Sequence, residues 1–317
     1  MRYFFVIPAA LIIIALFHGC SKSTNGEVLV PGKPVMYEYD MNNLEFHNGF
    51  HQSEARGVLE NRQIVEASGI AVSRSNTSRL WVHNDSGDYN RLLVVGENAE
   101  DFGQFIIEGA FNRDWEDMAI GPGPVYGKDY LYIGEIGDNR AQYEIMSVYR
   151  VAEPDISSLD SVTYATVEGV ERIDYVYPDR RSRDAETLMI DPLTRDLYIV
   201  TKRDERSIIY VARYPQDTKK VIILDKIGYF PFNRALAGDI SADGTEIAVK
   251  TDDRIYYWQR KNSEPVFEAL KRQPLLLPYT LEPQGEAFGW MPDGSGYYTL
   301  SEKADDIEPV LYFYRRR

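Results

Sequence analysis

Five stretches of this chain repeat one plan, and that repetition constrains the fold more than any other feature of the sequence. They are residues 68–88, 115–139, 185–205, 238–253 and 285–306. Each opens on a small or acidic residue and runs into a short apolar strand. The chain then turns and returns as an aromatic-rich strand that ends in polar residues. The turns carry Asp-Gly, Asp-Pro, Gly-Pro and Ser-Asn pairs, the chemistry that tight strand connections require. Third strands are expected at 91–95, 146–151, 207–213, 254–259 and 310–314. Fourth strands are expected at 104–107, 172–177, 221–224 and 275–279.

Four strands per unit, repeated, describe an all-β fold, a β-propeller. Five blades is the reading. Six is the alternative, because residues 161–170 add strand material to the second unit, as an insertion or a degenerate blade. The fifth unit lacks a fourth strand. Residues 62–65, just ahead of the first unit, are expected to supply it. This N-terminal strand would close the ring by pairing the two ends of the chain, and closure removes exposed sheet edges.

Composition agrees. The 317 residues include 23 Tyr and 13 Phe, residue types that pack well on a pleated surface. Formal net charge is −14, from 49 acids against 35 Lys and Arg, and no basic run precedes Arg315, Arg316 and Arg317. A nucleic-acid partner needs a basic footprint to neutralise phosphates, so none is expected.

The N-terminus is a separate element. Arg2 precedes an apolar run at 4–17, short for a membrane span, which ends in Gly19 and Cys20. This is the pattern of a secretory signal over 1–19. Cys20 is the one cysteine in the chain, and its setting, LFHGC, resembles a bacterial lipoprotein cleavage site. The resemblance implies cleavage before Cys20 and lipidation of its thiol. The protein would then be extracytoplasmic and anchored by lipid to the bacterial cell envelope, with the outer membrane expected. The other reading is an ordinary signal peptide with an incidental cysteine. A lipidated Cys20 leaves no thiol for disulfides, metal or catalysis. Residues 20–52 read as a tether and N-terminal extension, and 53–317 as the propeller. Tyr37, Tyr39, Leu44 and Phe46 are too apolar for a free linker.

Aligning the units places the acids. The entry to each innermost strand reads Gly69, Glu116, Glu186, Asp239 and Glu286. The ends of the second strands read Asn84-Asp85, Glu135, Thr201-Lys202, Lys250 and Ser301-Glu302. Both columns are expected at one end of the central channel. Carboxylates held close raise one another's pKa or must be neutralised. One neutraliser is a hard cation such as Ca²⁺, held by Glu116, Glu186 and Glu286, with Asp239, Asn84, Asp85 and Glu135 as further candidates. The other is internal, from Lys202, Lys250 and Arg203. Asp88 and Asp138 read as Asx-turn residues, and Asp114 and Asp117 as loop chemistry. The four histidines and lone cysteine make zinc unexpected. No phosphate-binding glycine loop points to a nucleotide cofactor, and no nucleophile elbow is present.

The stretches SGIAVSR, HNDSGD, DWEDMAIG, IGEIGDN, DAETLMIDP and QGEAFGW resemble those of secreted bacterial β-propeller proteins of unassigned activity. The resemblance covers roughly 65–302. More distantly, the chain is similar to gluconolactonase, paraoxonase and esterase-like phytase propellers. That similarity implies a divalent ion held at the channel mouth for ester or lactone hydrolysis, at Glu116, Glu186, Asp239, Glu286, Asn84 and Asp85. The chain departs from those lactonases at Gly69, where they carry an acid, and in its two lysines. Two functions follow. One is an envelope protein that binds a small molecule, glycan or protein at the acidic mouth. The other is a divalent-metal-dependent hydrolase of a lactone, ester or phosphoester.

Overall fold

The computed structural model describes Met1, residues 32–261 and residues 264–317. Residues 2–31, which include most of the signal segment, Cys20 and the start of the tether, lie outside the described residues.

Two short strands come first, β1 (Val35–Met36) and β2 (Glu54–Val58). Blade 1 is β3 (Ala67–Val72), β4 (Arg79–Asn84), β5 (Arg91–Gly96) and β6 (Asp101–Ile107). Blade 2 is β7 (Trp115–Pro122), β8 (Asp129–Glu135), β9 (Met146–Ala152) and, after β10 (Thr163–Val167), β11 (Glu171–Val176). Blade 3 is β12 (Ala185–Ile190), β13 (Leu197–Thr201), β14 (Ile208–Ala212) and, after β15 (Ile222–Ile223), β16 (Asp225–Tyr229). Blade 4 is β17 (Ala237–Ile240), β18 (Glu246–Lys250), β19 (Ile255–Gln259) and, after helix α1 (Val266–Ala269), β20 (Leu275–Leu277). Blade 5 is β21 (Gly285–Trp290), β22 (Gly296–Ser301) and β23 (Val310–Arg315), completed by β2.

The five innermost strands touch in a ring, β3 to β7, β7 to β12, β12 to β17, β17 to β21 and β21 back to β3. This is a five-bladed propeller. Strands β3, β12 and β17 are buried at every position, as strands flanked on both faces must be. Apolar clusters fill the wedges between blades. Trp115, Trp290 and Tyr298 are buried in them, which makes them packing residues.

Three strand assignments differ from expectation. The ring is closed by Glu54–Val58, antiparallel to β23, and not by residues 62–65. There Asn61 accepts the Gln63 amide on its side chain, 3.0 Å, and the Ile64 amide on its carbonyl, 3.2 Å. This local turn uses the amides a strand would need. The fourth strand of blade 3 is Asp225–Tyr229. Ile222–Ile223, within the expected 221–224, instead pairs parallel with β11 outside blade 2. The strand material at 161–170 forms no sixth blade, because β10 pairs parallel with β6 as a fifth strand of blade 1. Likewise β1 pairs parallel with β16 outside blade 3. Blades 1 to 3 thus have their outer edges covered by passing chain, which protects them from pairing with other molecules.

The N-terminal extension packs as its aromatics require. Tyr37 is buried, and its hydroxyl donates to the Phe267 carbonyl at 3.1 Å. The Tyr39 hydroxyl donates to the Leu270 carbonyl at 2.5 Å.

Candidate functional site

Strand register puts both acidic columns at one end of the channel. Ala67 pairs with Asn84, Trp115 with Glu135, Ala185 with Thr201, Ala237 with Lys250 and Gly285 with Ser301. Four blades shift register immediately after these pairs. The resulting β-bulge carries one extra residue and re-aims its side chain. Ser68, Glu116, Glu186 and Glu286 occupy the bulges.

Blade 4 has no bulge, and this removes Asp239 from the column. Asp239 sits within the strand opposite Ala248, where its Oδ2 accepts the Trp290 amide at 3.0 Å. Asp117 does related work. Its Oδ2 accepts the amides of Leu188 at 2.9 Å and Gly238 at 3.1 Å, from blades 3 and 4. Innermost strands of neighbouring blades make no ladder with each other, so their inner-edge amides need acceptors. Asp117 and Asp239 supply them at the channel waist. Burial raises both carboxyls, Asp239 to about 6 and Asp117 well above its usual range. Asp117 is therefore not loop chemistry.

Gly69 is a packing glycine. A β-carbon there would stand 2.9 Å from the Met118 β-carbon, on the neighbouring innermost strand.

Two other candidates are taken up by structure. Asn84 is buried, and its Oδ1 accepts the amides of Val65 at 3.0 Å and Glu66 at 3.1 Å. Its Nδ2 donates to the Gln63 carbonyl at 2.8 Å and to Asp88 Oδ2 at 2.7 Å. Nothing on that amide remains for a ligand, so Asn84 is a loop clamp. Glu135 accepts the amides of Arg113 at 2.9 Å and Asp114 at 3.1 Å, and pairs with Arg113 Nε at 3.1 Å. It fixes the entry to β7. Asp138 accepts the amides of Gln142 at 2.9 Å and Tyr143 at 2.7 Å, which is turn chemistry.

The remaining acids converge. Asp85, Asp114 and Glu116 each offer an oxygen within 4.8 Å of the others, and so do Glu116, Asp184 and Glu186. Asn112 sets this up by donating to the Asp85 carbonyl at 2.8 Å and accepting the Trp115 amide at 3.1 Å. It thereby ties the HNDSGD loop to the DWED entry. Gly137 closes the other side. A β-carbon there would sit 2.7 Å from Asp114 Oδ2, so glycine is what lets the IGDN loop lie against these carboxylates.

Burial raises the Glu116 carboxyl, helped by Glu186 and Asp85. Glu186 is raised by burial and then by Glu286. Burial pushes Asp85 up to about 7, with Asp114 adding to it. Glu302 rises to about 8 through burial and then Glu286. Asp114 is raised by burial and then by Asp184.

Internal cations meet only part of this charge. Lys202 bonds Glu186 Oε1 and stands 3.6 Å from Glu286 Oε1. Burial works against its ammonium, but Glu186 and Glu286 hold it charged. Arg203 Nε bonds Asp184 Oδ2 at 2.5 Å. Lys250 does not join them. It is fully buried, donates to the Gly285 and Thr251 carbonyls, and lies 4.6 Å from the Tyr279 ring centre. Burial lowers it to about 8. Among the described residues no carboxylate forms an ion pair with it. It neighbours Glu282, whose carboxyl burial raises to about 7.

Outside the mouth two shallow depressions share Asp138 and Asn139. One of about 270 Å³ includes Ser86, Arg113 and Asp114, and one of about 190 Å³ includes Asp184 and Arg203.

Asp114 and Asp184 are the residues that sequence reasoning passed over as site members. Their signal was present, because DWE and DAE place an Asp two residues before the bulge Glu in blades 2 and 3.

No family model matches the chain, and no curated protein matches it. Among solved structures, the luciferin-regenerating enzyme is 12% identical, covering 84% of this chain and 95% of that one with a TM-score of 0.44. The Neurospora crassa Pan2 WD40 domain is 8% identical, covering 86% and 98% with a TM-score of 0.43. The RRP9 WD40 repeats are 11% identical, covering 78% and 79% with a TM-score of 0.39.

Proposed function

We propose that this protein is a lipid-anchored lipoprotein of the bacterial cell envelope whose propeller binds a positively charged ligand at the acidic channel mouth. The observation that carries this reading is the clustering of Asp85, Asp114, Glu116, Asp184 and Glu186, with Glu286 and Glu302 nearby, against the Lys202 ammonium and the Arg203 guanidinium. Buried carboxylates that repel one another gain most from an added cation. Asp85 and Asp114 are half-buried, so the cluster is reachable from solvent. The anchor is read from Arg2, the apolar run and Cys20; replacing Cys20 with Ala should move the protein from the membrane to the soluble fraction.

Titration calorimetry tests the ligand reading. The purified full-length chain in detergent should bind spermidine or a divalent cation, and Glu116→Gln combined with Glu286→Gln should abolish the heat. Equal heats in the variant, or none in the wild type, would contradict it.

A second reading is divalent-metal-dependent hydrolysis of a lactone, ester or phosphoester. It takes support from the convergence of carboxylates at the mouth, which offers oxygen ligands beside a further carboxyl, Glu302, that burial raises. Glu116, Glu186 and Glu286 would serve as ligands or as the base. Turnover of aryl esters, lactones or phosphoesters that is lost on chelation would support it, and absence of turnover in metal-loaded protein would end it.

A further inference from the structure

We infer that the face around the mouth docks an extended polypeptide segment of a partner protein, with a basic side chain over Asp85 and Asp114 and apolar side chains beside it. This rests on the reading of the mouth as a site for positive charge, and it names the chemical class of the ligand and the surface that takes it.

The first argument is where apolar side chains stand exposed. Val65, Tyr89, Phe111, Ile145, Leu281 and Ile307 are 40% to 72% exposed. Each lies in a loop that enters an innermost strand or joins a second strand to a third, so all six stand at the mouth end of blades 5, 1 and 2. The matching loops of blades 3 and 4 are residues 177–184, 202–207, 230–236 and 251–254. Among the described residues these loops expose no large apolar side chain. They present Arg180, Arg181, Arg203 and Arg234 to solvent instead. Single exposed apolar residues are ordinary. Their segregation onto one half of one face, bordered by charge, marks an interaction surface.

The second is that these loops are tied into one rim. The Lys303 amide of blade 5 donates to the Val65 carbonyl of blade 1 at 2.8 Å. Asn112 of blade 2 donates to the Asp85 carbonyl of blade 1 at 2.8 Å. Within blade 5 the Glu302 amide donates to the Gln284 carbonyl at 2.9 Å. A rim held in place before the partner arrives loses little freedom on docking.

Charge and size then select the occupant. The apolar half of the face is also the half that carries Asp85, Asp114 and Glu116. Among the described residues no Lys or Arg forms an ion pair with these three. Unpaired carboxylates beside exposed apolar side chains complement a segment in which basic and apolar residues adjoin. An anionic lipid surface would instead be repelled by these acids and by the net charge of −14. The depressions bordering the mouth hold about 270 and 190 Å³, below the roughly 300–1,000 Å³ of an enclosing small-molecule site. The exposed side chains come from three blades, a span that suits a polypeptide.

The test is fluorescence anisotropy of a short labelled peptide in which lysine alternates with phenylalanine and leucine, titrated with the full-length chain in detergent. Phe111→Ser and Leu281→Ser should each weaken binding roughly tenfold, as loss of an interface anchor does. Tyr126→Ser alters a fully exposed tyrosine between β7 and β8, at the opposite end of the propeller, and should change nothing. All three sites are exposed, and equal thermal midpoints would verify that the variants fold. A peptide with glutamate in place of lysine should bind at least roughly tenfold more weakly. Equal affinity for the wild type and both rim variants, or for the two peptides, would overturn the inference. Spermidine binding without peptide binding would overturn the docking surface and leave the cationic-ligand reading standing. Binding of neither would remove both. If the chain is anchored on liposomes and a polarity-sensitive dye attached through Phe111→Cys reports lipid that the peptide does not displace, the face meets the membrane and the inference falls.

Discussion

On the side of the mouth built by blades 3 and 5, Glu186 and Glu286 share the Lys202 ammonium. On the side built by blades 1 and 2, Asp85, Asp114 and Glu116 face one another with no ammonium between them. Both sides use the same device, a carboxylate on or beside a β-bulge at the entry to an innermost strand. One side carries an ammonium of its own, and among the described residues the other has no ion pair with a Lys or Arg. The channel waist gives a third state. There Asp117 accepts amides from two neighbouring blades and Asp239 from one. Similar acids within one channel are therefore an unpaired cluster, a salt bridge and a backbone staple, according to what lies opposite them.

Breaking the completed side should have the largest effect. Lys202→Met leaves buried Glu186 and half-buried Glu286 without their cation, and stranding a buried carboxylate costs about 3–5 kcal/mol. Urea unfolding at pH 8 should show that loss, and the loss should shrink at pH 5, because burial and Glu286 raise the Glu186 carboxyl and favour its protonation there. A loss that is equal at both values would mean the ammonium acts through packing alone. Breaking the waist comes next. Asp117→Ala strands the amides of Leu188 and Gly238, at about 1–3 kcal/mol each. Its destabilisation should persist with spermidine present, and rescue by spermidine would contradict the staple.

Acidity then probes both sides without mutation. Asp85 titrates at about 7 and Glu302 at about 8, against ordinary carboxyl values of about 4. A carboxyl raised by folding holds its proton more tightly when folded. The stability it contributes is whole below about pH 4 and is lost as pH climbs through about 8. Metal-free protein should therefore unfold at lower urea at pH 9 than at pH 5, and Glu302→Gln should flatten the slope. A profile that rises over that range would contradict the charge assignment. The smallest effect is a gain. Asp114→Asn removes a carboxylate that burial and Asp184 already disfavour, and should slightly stabilise metal-free protein at pH 8. Destabilisation by that substitution would mean the carboxylate is already neutralised.

Much of this architecture is legible from sequence because it is local. Apolar strand, turn and aromatic return recur five times, and Glu116, Glu186 and Glu286 stand at equivalent bulges. What was not legible depends on partners distant in the chain. The closing strand EARGV is less apolar than RQIV, yet it pairs with β23 because RQIV is bent by Asn61. Nothing within β10 or β15 states that each will pair with the outer strand of the preceding blade. Asp239 was aligned by spacing, and one missing bulge moved it from mouth to waist. Asn84 reads as a ligand in HNDSGD, and only the amides of Val65 and Glu66 show that its side chain is in use. Lys250 ends its strand opposite Ala237, whereas Lys202 lies one residue beyond the matching position, Thr201. Their different partners come from Glu186 in one blade and from Gly285 and Tyr279 in the other.

Measuring the bound cation tests the central claim most directly. Equilibrium dialysis against labelled spermidine should find it bound to the wild type and lost from Asp114→Asn. Lys202→Met should bind more of it, because Glu186 and Glu286 then face each other without the ammonium. No bound spermidine in the wild type, or unchanged binding in both variants, would contradict the division of the mouth into a lysine side and an unpaired side.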